Sequence, residues 1–385
     1  MTSSAPIIQS PKTECKAERQ PRKAAALVLG VETSCDETAV AVVKRLPDGS
    51  GAILSNVVRS QWEQHRPFGG VVPEIAARAH IECISDIASE ALKTANTQLT
   101  DIDCIAATAG PGLIGGLLVG LTFAKSIALA HDKPLVAINH LEAHALTVGL
   151  TDSIRPPYLL LLVSGGHTQT VLVRDVADYH RIGSTIDDAL GEAFDKTAKI
   201  LSLGFPGGPA VEAAALNGDP QRFAFPRPLQ GRKEPHFSFA GLKTAVRREA
   251  ERQQPINDQT IADLTASFEA AVCDSVIDRV KLAHRMAVVE IGEPDALPIV
   301  VSGGVAANKR LRSALEKFAT TIDVPAIFPP ISLCTDNGAM IAWAGAERFA
   351  RGPLAGGLDT SARARWPLDE SAAPIIGTGK HGPKA

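Results

Sequence analysis

Residues 26–45, "ALVLGVETSCDETAVAVVKR", set the pattern from which the rest of the chain is read. An apolar run, a polar stretch at 33–38 and a second apolar run predict a strand, a tight turn and a returning strand. Apolar residues at helical spacing predict a helix over 73–95. "IDCIAATAG" (102–110) reads as a buried strand, and the glycine-led stretch 111–132 continues as a helix. "KPLVAINH" is another strand, and it runs into "INHLEAHALT" at 138–147. The design then restarts. "PYLLLLVSGGHTQTVLVRD" (157–175) is again strand, polar turn, strand. Helical segments follow at "DDALGEAFDKTAKILSL" and "IADLTASFEAAVCDSVIDRVKLAHRMA", and "LPIVVSGGVAANKRLRSALEKFA" is a strand turning into a helix.

The two hairpins echo each other, and each opens one half of the chain. That predicts an α/β fold of two related lobes with both turns at a cleft between them. Backbone N–H groups of small Gly/Ser turns can line a phosphate. A third "VSGG" at 301–304 strengthens a nucleotide-cleft reading over ordinary hairpins.

Length agrees with two lobes, because 385 residues exceed one compact core of average size. The expected division is an extension at 1–26 without fixed structure, an N-terminal lobe at 27–150, a C-terminal lobe at 151–350 and a flexible tail at 351–385. The helix after 336 is a candidate for packing back on the first lobe. The formal net charge of -3 excludes a polycation, so any nucleic-acid contact needs a local basic patch. Segment 227–254, with Arg232, Lys233, Lys243, Arg247 and Arg248, is the best such candidate, against the alternative of a charged helix face plus loop. Two tyrosines and three tryptophans argue against a base-stacking platform of many aromatics. The six cysteines form no C-x-x-C pair, which favours a reducing compartment. No membrane span is expected. Residues 1–26 lack the apolar core of a signal peptide, and two glutamates argue against an organellar presequence.

His140 and His144 lie one helical turn apart and on one face. As metal ligands they need a third group, and Asp336 in "LCTDNGAM" is the candidate. Two histidines and a carboxylate suit iron or zinc with open positions. The competing reading is a pair of helix-surface histidines. Glu142 points about 200° away from His140, so it is badly placed as the base of a zinc peptidase. In the turn Val163–His167, Ser164 supplies a hydroxyl while Gly165 and Gly166 admit close approach of a phosphate or acyl oxygen. Asn308 in "SGGVAANKRL" can hydrogen-bond a base edge or ribose. Loop acids Asp36, Glu37, Asp187, Asp188, Asp195 and Glu212 can hold ribose, metal or a proton.

"GVETSCDETAVAVV", "NHLEAHALT", "LLVSGGHTQ", "GEAFDKTAKIL", "PGGPAVE", "FSFAGLKTA", "SGGVAANKRLR" and "CTDNGAMIAW" occur in the order of the TsaD family, which the chain resembles from about residue 27 to 350. The resemblance implies the two-lobed fold of the actin, Hsp70 and sugar-kinase (ASKHA) superfamily. It implies transfer of a threonylcarbamoyl group from threonylcarbamoyl-AMP to the exocyclic amine of the adenosine 3′ of the anticodon, in tRNAs reading codons that begin with A. AMP leaves. It further implies one divalent metal per subunit, iron first and zinc second, on His140, His144 and Asp336. Leu162, Val163, Ser164, Gly165 and Gly166 match the substrate-binding turn. Asp195, Gly208, Glu212 and Asn308 match positions that hold the adenylate, and Asp36 and Glu37 match acids needed for activity. Implied partners are TsaB and TsaE, with TsaC as upstream donor synthase, or a second copy in a homodimer. The N-terminal extension departs from the family pattern. The tail "RARWPLDE" resembles alphaproteobacterial members, so bacterial cytoplasm is the expected compartment and the mitochondrion the alternative. The rival functions are an ATP-dependent kinase of the same superfamily, a zinc endopeptidase and a non-catalytic binding module.

Overall fold

The computed structural model describes residues 25–292, 297–352 and 357–373. Residues 1–24 and 374–385 lie outside these ranges, and with them most of the expected N-terminal extension and the end of the tail. The first half contains β1 (Ala26–Glu32), β2 (Glu37–Arg45), β3 (Gly51–Ser60), α1 (Trp62–His65), α2 (Pro73–Thr94), β4 (Cys104–Gly110), α3 (Ile114–Ala130), β5 (Leu135–Asn139) and α4 (His140–Thr151). The second contains β6 (Tyr158–Val163), β7 (Thr168–Asp175), β8 (Asp178–Ser184), α5 (Leu190–Ile200), α6 (Gly207–Ala215), α7 (Ala240–Arg252), α8 (Asp258–Ile291), β9 (Ile299–Ser302), α9 (Lys309–Thr321), β10 (Ala326–Ile327), α10 (Ile331–Cys334) and α11 (Gly338–Arg351).

The internal echo is a repeated sheet. The first sheet runs β3-β2-β1-β4-β5 and the second β8-β7-β6-β9-β10. In each, three antiparallel strands are followed by two parallel ones. This is the two-lobed α/β architecture expected from the pattern. Alternation along β1 and β2 explains its layers. Leu29, Val31, Val40 and Val42 face α2 and α3, whereas Val28, Ala41 and Val43 face the layer of α4 and α11. The second sheet sends Leu159, Leu161 and Val163 toward α5 and α8, and Tyr158, Leu160 and Leu162 toward α4.

Helix α4 therefore lies between the two sheets. Ala143, Leu146 and Leu150 pack on the first, and Leu141, Ala145 and Val148 on the second. A helix apolar on all sides is a buried one. Each of its leucines and its valine contributes about 1.5–3 kcal/mol by leaving water. Helix α11 also packs on the first sheet. Its backbone comes so close to β1 that a Cβ on Gly30 would stand 2.3 Å from the Ala342 nitrogen.

Residues 357–373 differ from the expected flexible tail. They form a strap along the body. The Arg363 N–H donates to the Ala109 carbonyl, the Gly112 N–H to the Ala364 carbonyl and the Asn139 side chain to the Trp366 carbonyl. Beyond these, the Arg181 N–H of the second sheet donates to Asp369.

Gly30→Val tests the close packing of α11. Overpacking at a backbone contact should cost about 1–3 kcal/mol or more. Gly241→Ala, where a Cβ meets nothing within 4 Å, should leave stability unchanged or slightly raised. Urea unfolding of the two variants checks both signs.

Candidate active site

Strand β5 ends at Asn139, whose side-chain oxygen accepts the Leu141 N–H and starts α4. His140 and His144 follow on one face. Both are buried, 8% and 1% exposed, so the surface-histidine reading fails. Their rings meet edge to face at 4.7 Å between centroids. Asp336 arrives from the link between α10 and α11, and its Oδ1 lies 3.5 Å from His140 Nε2 and 3.3 Å from His144 Nε2. The three ligand atoms lie within 4.8 Å of one another. Two imidazole nitrogens and a carboxylate oxygen converging in this way fit a divalent cation with further positions open.

A second carboxylate orients this group. Glu32, at the end of β1, is fully buried. One oxygen accepts the Ser34 N–H at 2.5 Å, and the other accepts the Thr108 hydroxyl at 2.5 Å. That second oxygen lies 3.2 Å from His140 Nδ1, as does the Ser34 hydroxyl. A carboxylate on Nδ1 fixes the ring and leaves Nε2 to face Asp336, the usual support of a metal-binding histidine.

The charges answer to each other. Burial works against a charge on His140, but Asp336 and Glu32 outweigh it and push the imidazole up to about 9. Burial would raise Asp336, yet His140 and His144 bring it down to about 2. Burial also opposes the Glu32 charge, and His140 more than reverses that. Glu37 goes the other way. Burial, then the Asp336 and Asp36 carboxylates, push it up to about 9. Glu37 opens β2 and Asp36 lies in the turn before it, so the first hairpin turn is acidic and closes on the histidine pair.

The second hairpin turn faces the same region. Its His167 is among the charges that lower Asp336. Leu162 and Val163 are core residues of β6. The Ser164 N–H donates to the His167 carbonyl, and the His167 N–H donates to the Ser164 hydroxyl. A Cβ on Gly165 or Gly166 would meet nothing within 4 Å. Among the described residues neither donates its amide to another protein group. The other "VSGG" is glycine for a different reason. Gly303 has φ +96°, and a Cβ there would stand 2.4 Å from the Val163 carbonyl oxygen.

Asp195, Gly208, Glu212 and Asn308 form a separate wall of the second lobe. Asp195 accepts the Gly207 N–H at 2.9 Å at the start of α6, and burial raises its carboxyl. Gly208 is open to a Cβ, and Glu212 accepts the Lys309 N–H at 2.8 Å. Asn308 caps α9: its oxygen accepts the Leu311 N–H and its amide donates to Glu269 at 2.7 Å. Its oxygen is thus already engaged. Glu142 is turned away from the metal group and accepts Arg348 and the Tyr179 hydroxyl. In the basic segment, Lys243 pairs with Asp188 and Arg247 with Glu251. Asp187 accepts the Phe239 and Ala240 N–H groups at the start of α7.

Sequence reasoning missed Glu32, Ser34, Thr108, His167 and Glu269. Only Ser34 and His167 carried a signal, because they lie within the turns already singled out.

The profile described as "TsaD: tRNA N6-adenosine threonylcarbamoyltransferase" matches residues 52–343. A protein of Brucella anthropi named tRNA N6-adenosine threonylcarbamoyltransferase is 59% identical over 358 residues, 93% of this chain and 99% of its own. A Brucella canis protein of the same name matches with the same identity and coverage. Among solved structures, HypF of T. kodakarensis superposes with a TM-score of 0.54 at 14% identity, over 86% of this chain and 48% of that one. The last likeness concerns the fold alone.

Metal binding should be proton-linked. His140 must give up its proton, so cation affinity should rise about tenfold for each pH unit as pH approaches 9. In the metal-free protein the raised imidazole contributes stability that is complete below its unfolded value, about 6.5, and is lost as pH rises through about 9. Calorimetric Co2+ titrations and urea melts from pH 6 to 9 check both slopes. His140→Ala should flatten both and lower metal content by elemental analysis.

Proposed function

The chain belongs to the TsaD family, the tRNA N6-adenosine threonylcarbamoyltransferases, and we propose that its two lobes divide the work of that transfer. It is a transferase whose substrate is tRNA. The donor in our reading is threonylcarbamoyl-AMP, and the acceptor is the adenosine 3′ of the anticodon in tRNAs reading codons that begin with A. One observation carries this reading: His140, His144 and Asp336 converge beside two open glycines and an acidic turn. Neither rival enzyme is favoured. An ATP-dependent kinase has no need of the histidine pair, and the Arg348 and Tyr179 contacts remove Glu142 from any peptidase role.

The acyl donor is a carbamoyl–phosphate anhydride with a good leaving group. The adenosine amine is a poor nucleophile, because its lone pair is shared with the ring. The site must therefore stabilise charge on the carbamoyl oxygen and on departing AMP. The Gly165 and Gly166 amides are free to face those anions, and Asp195, Gly208, Glu212 and Asn308 form the wall assigned to the adenylate. His140, His144 and Asp336 would hold the divalent ion, iron in our reading and zinc as the alternative. When bound, that ion supplies Lewis acidity or a fixed positive charge. Of the two acids in the first turn, Glu37 is the one whose carboxyl is raised in the metal-free protein, by burial and the Asp336 charge, to about 9, and in our reading it donates a hydrogen bond. Asp36 is then the acceptor of the amine proton.

We place the protein in the bacterial cytoplasm, with TsaB and TsaE as working partners, TsaC as upstream donor synthase and a homodimer as the alternative assembly. Its relatives in Brucella species support a bacterial setting. Incubation with threonylcarbamoyl-AMP, unmodified tRNA, TsaB and TsaE should yield threonylcarbamoyladenosine on nucleoside mass spectrometry after digestion. Absence of that nucleoside, with ATP turnover coupled to a small acceptor instead, overturns the reading.

Asp36→Asn should slow single-turnover transfer by about 10²- to 10⁴-fold at saturating adenylate, with the melting temperature unchanged. Glu37→Gln, which keeps a neutral hydrogen-bonding group, should lose far less. Gly165→Val should weaken binding of a non-hydrolysable adenylate analogue without unfolding the protein, since its Cβ enters open space.

A further inference from the structure

Two aromatic rings meet across the lobes at a place the core does not explain. Trp62 opens α1, separated from the end of β3 by one residue, and Phe205 lies in the link before α6. Their ring centroids are 5.0 Å apart and the planes differ by 22°. Both rings are only half-buried, and neither packs in any of the four hydrophobic clusters.

Along the chain, one ring adjoins the acidic turn and the other adjoins the wall assigned to the adenylate. Ser60 lies opposite Glu37 in the ladder of β2 and β3. The Gln61 N–H donates to the Asp36 carbonyl at 2.9 Å, and Trp62 is the next residue. On the other side, Phe205 precedes by two residues Gly207, whose N–H donates to Asp195. Exposed Arg59 and Arg66 flank Trp62 along the chain, with exposed Glu63 next to it, and leave one positive charge in excess on the segment.

We propose that Trp62 is the stacking surface for the target adenine of the tRNA, and that Phe205 occupies that surface when no RNA is bound. The proposal rests on the transferase reading. A base in a single-stranded loop is recognised by splaying it onto an aromatic face. An offset stack of 5.0 Å between centroids leaves no room for a purine between the rings, so the base must replace Phe205 on Trp62. One indole fixed to the Asp36 turn is enough to bring the amine of a stacked adenine beside the acid assigned to it.

Loss of Trp62 then weakens RNA binding whereas loss of Phe205 does not, which a simple interlobe clasp does not predict. The test uses the full-length protein, in the complex that carries out the transfer assay, and a labelled anticodon stem-loop. A second stem-loop is abasic at the target position. Trp62→Ala should weaken binding of the intact RNA by about 5- to 100-fold, the loss expected for one base–aromatic stack. Trp62→Phe should retain most of the affinity. The abasic RNA should weaken wild-type binding by a similar factor, and combining it with Trp62→Ala should add nothing. Phe205→Ala should leave binding equal or tighter. Multiplying losses in the combined case, an unchanged Kd for Trp62→Ala, or equal weakening by both alanine variants overturns the proposal. If the wild type modifies tRNA while these results fail, the stack is wrong and the transferase reading stands. If it does not modify tRNA, both fall together.

Discussion

The burial of one helix between two sheets is the constraint on which the site depends. Helix α4 gives one apolar side to each lobe, so it cannot rotate without breaking a core. His140 and His144 are carried into that interior, where an unpartnered polar ring is costly. Glu32, Ser34 and Asp336 are the groups that meet them. On another side of the helix, Glu142 is held by Arg348 of α11 and Tyr179 of β8. The direction of both imidazoles is therefore set by the assembly of the two lobes, and the local sequence of α4 alone does not determine it.

The repeated sheet explains why the remaining groups gather at one end. Glu32 ends β1, Asn139 ends β5, and the glycine turn begins where β6 ends. Ser302 ends β9, beside the Gly303 that closes on Val163. All four strands belong to the parallel portions of their sheets. In open α/β sheets, ligands settle beyond the carboxyl ends of such strands. The duplication thus brings two hairpin turns of different chemistry to face each other, one acidic and one glycine-rich.

What was legible in the sequence follows from burial. The central strands read clearly because Leu29, Val31, Leu159 and Leu161 lie in continuous apolar runs. The third strand of each sheet went unread. β3 and β8 are edge strands, and "GAILSNVVRS" and "DYHRIGS" are largely exposed or half-buried, so neither carries a strong apolar pattern. The metal group was legible in part. One-turn spacing announced His140 and His144, but spacing could not say whether they faced water or Asp336, because that depends on a segment almost 200 residues away. Glu32 and Thr108 read as ordinary strand residues, since their roles arise only when β1 and β4 pair. The strap at 357–373 was invisible for a similar reason. Its hold comes from backbone carbonyls, such as that of Trp366, which have no residue signature.

The charge balance of the site follows from the same packing. Glu32 and Asp336 face the histidine pair, both with carboxyls held below their usual values, and together they bring two negative charges. Without a metal, the proton on His140 offsets one of these. A divalent cation in its place offsets both, at the expense of that proton. In the metal-free protein a third carboxylate within reach would tip the balance again, and there burial with Asp336 and Asp36 raises the Glu37 carboxyl to about 9. The protons on Glu37 and on His140 are thus two consequences of burying several acids around one helix. Asp36, one residue earlier in the same half-buried turn, is the acid we propose for the chemistry.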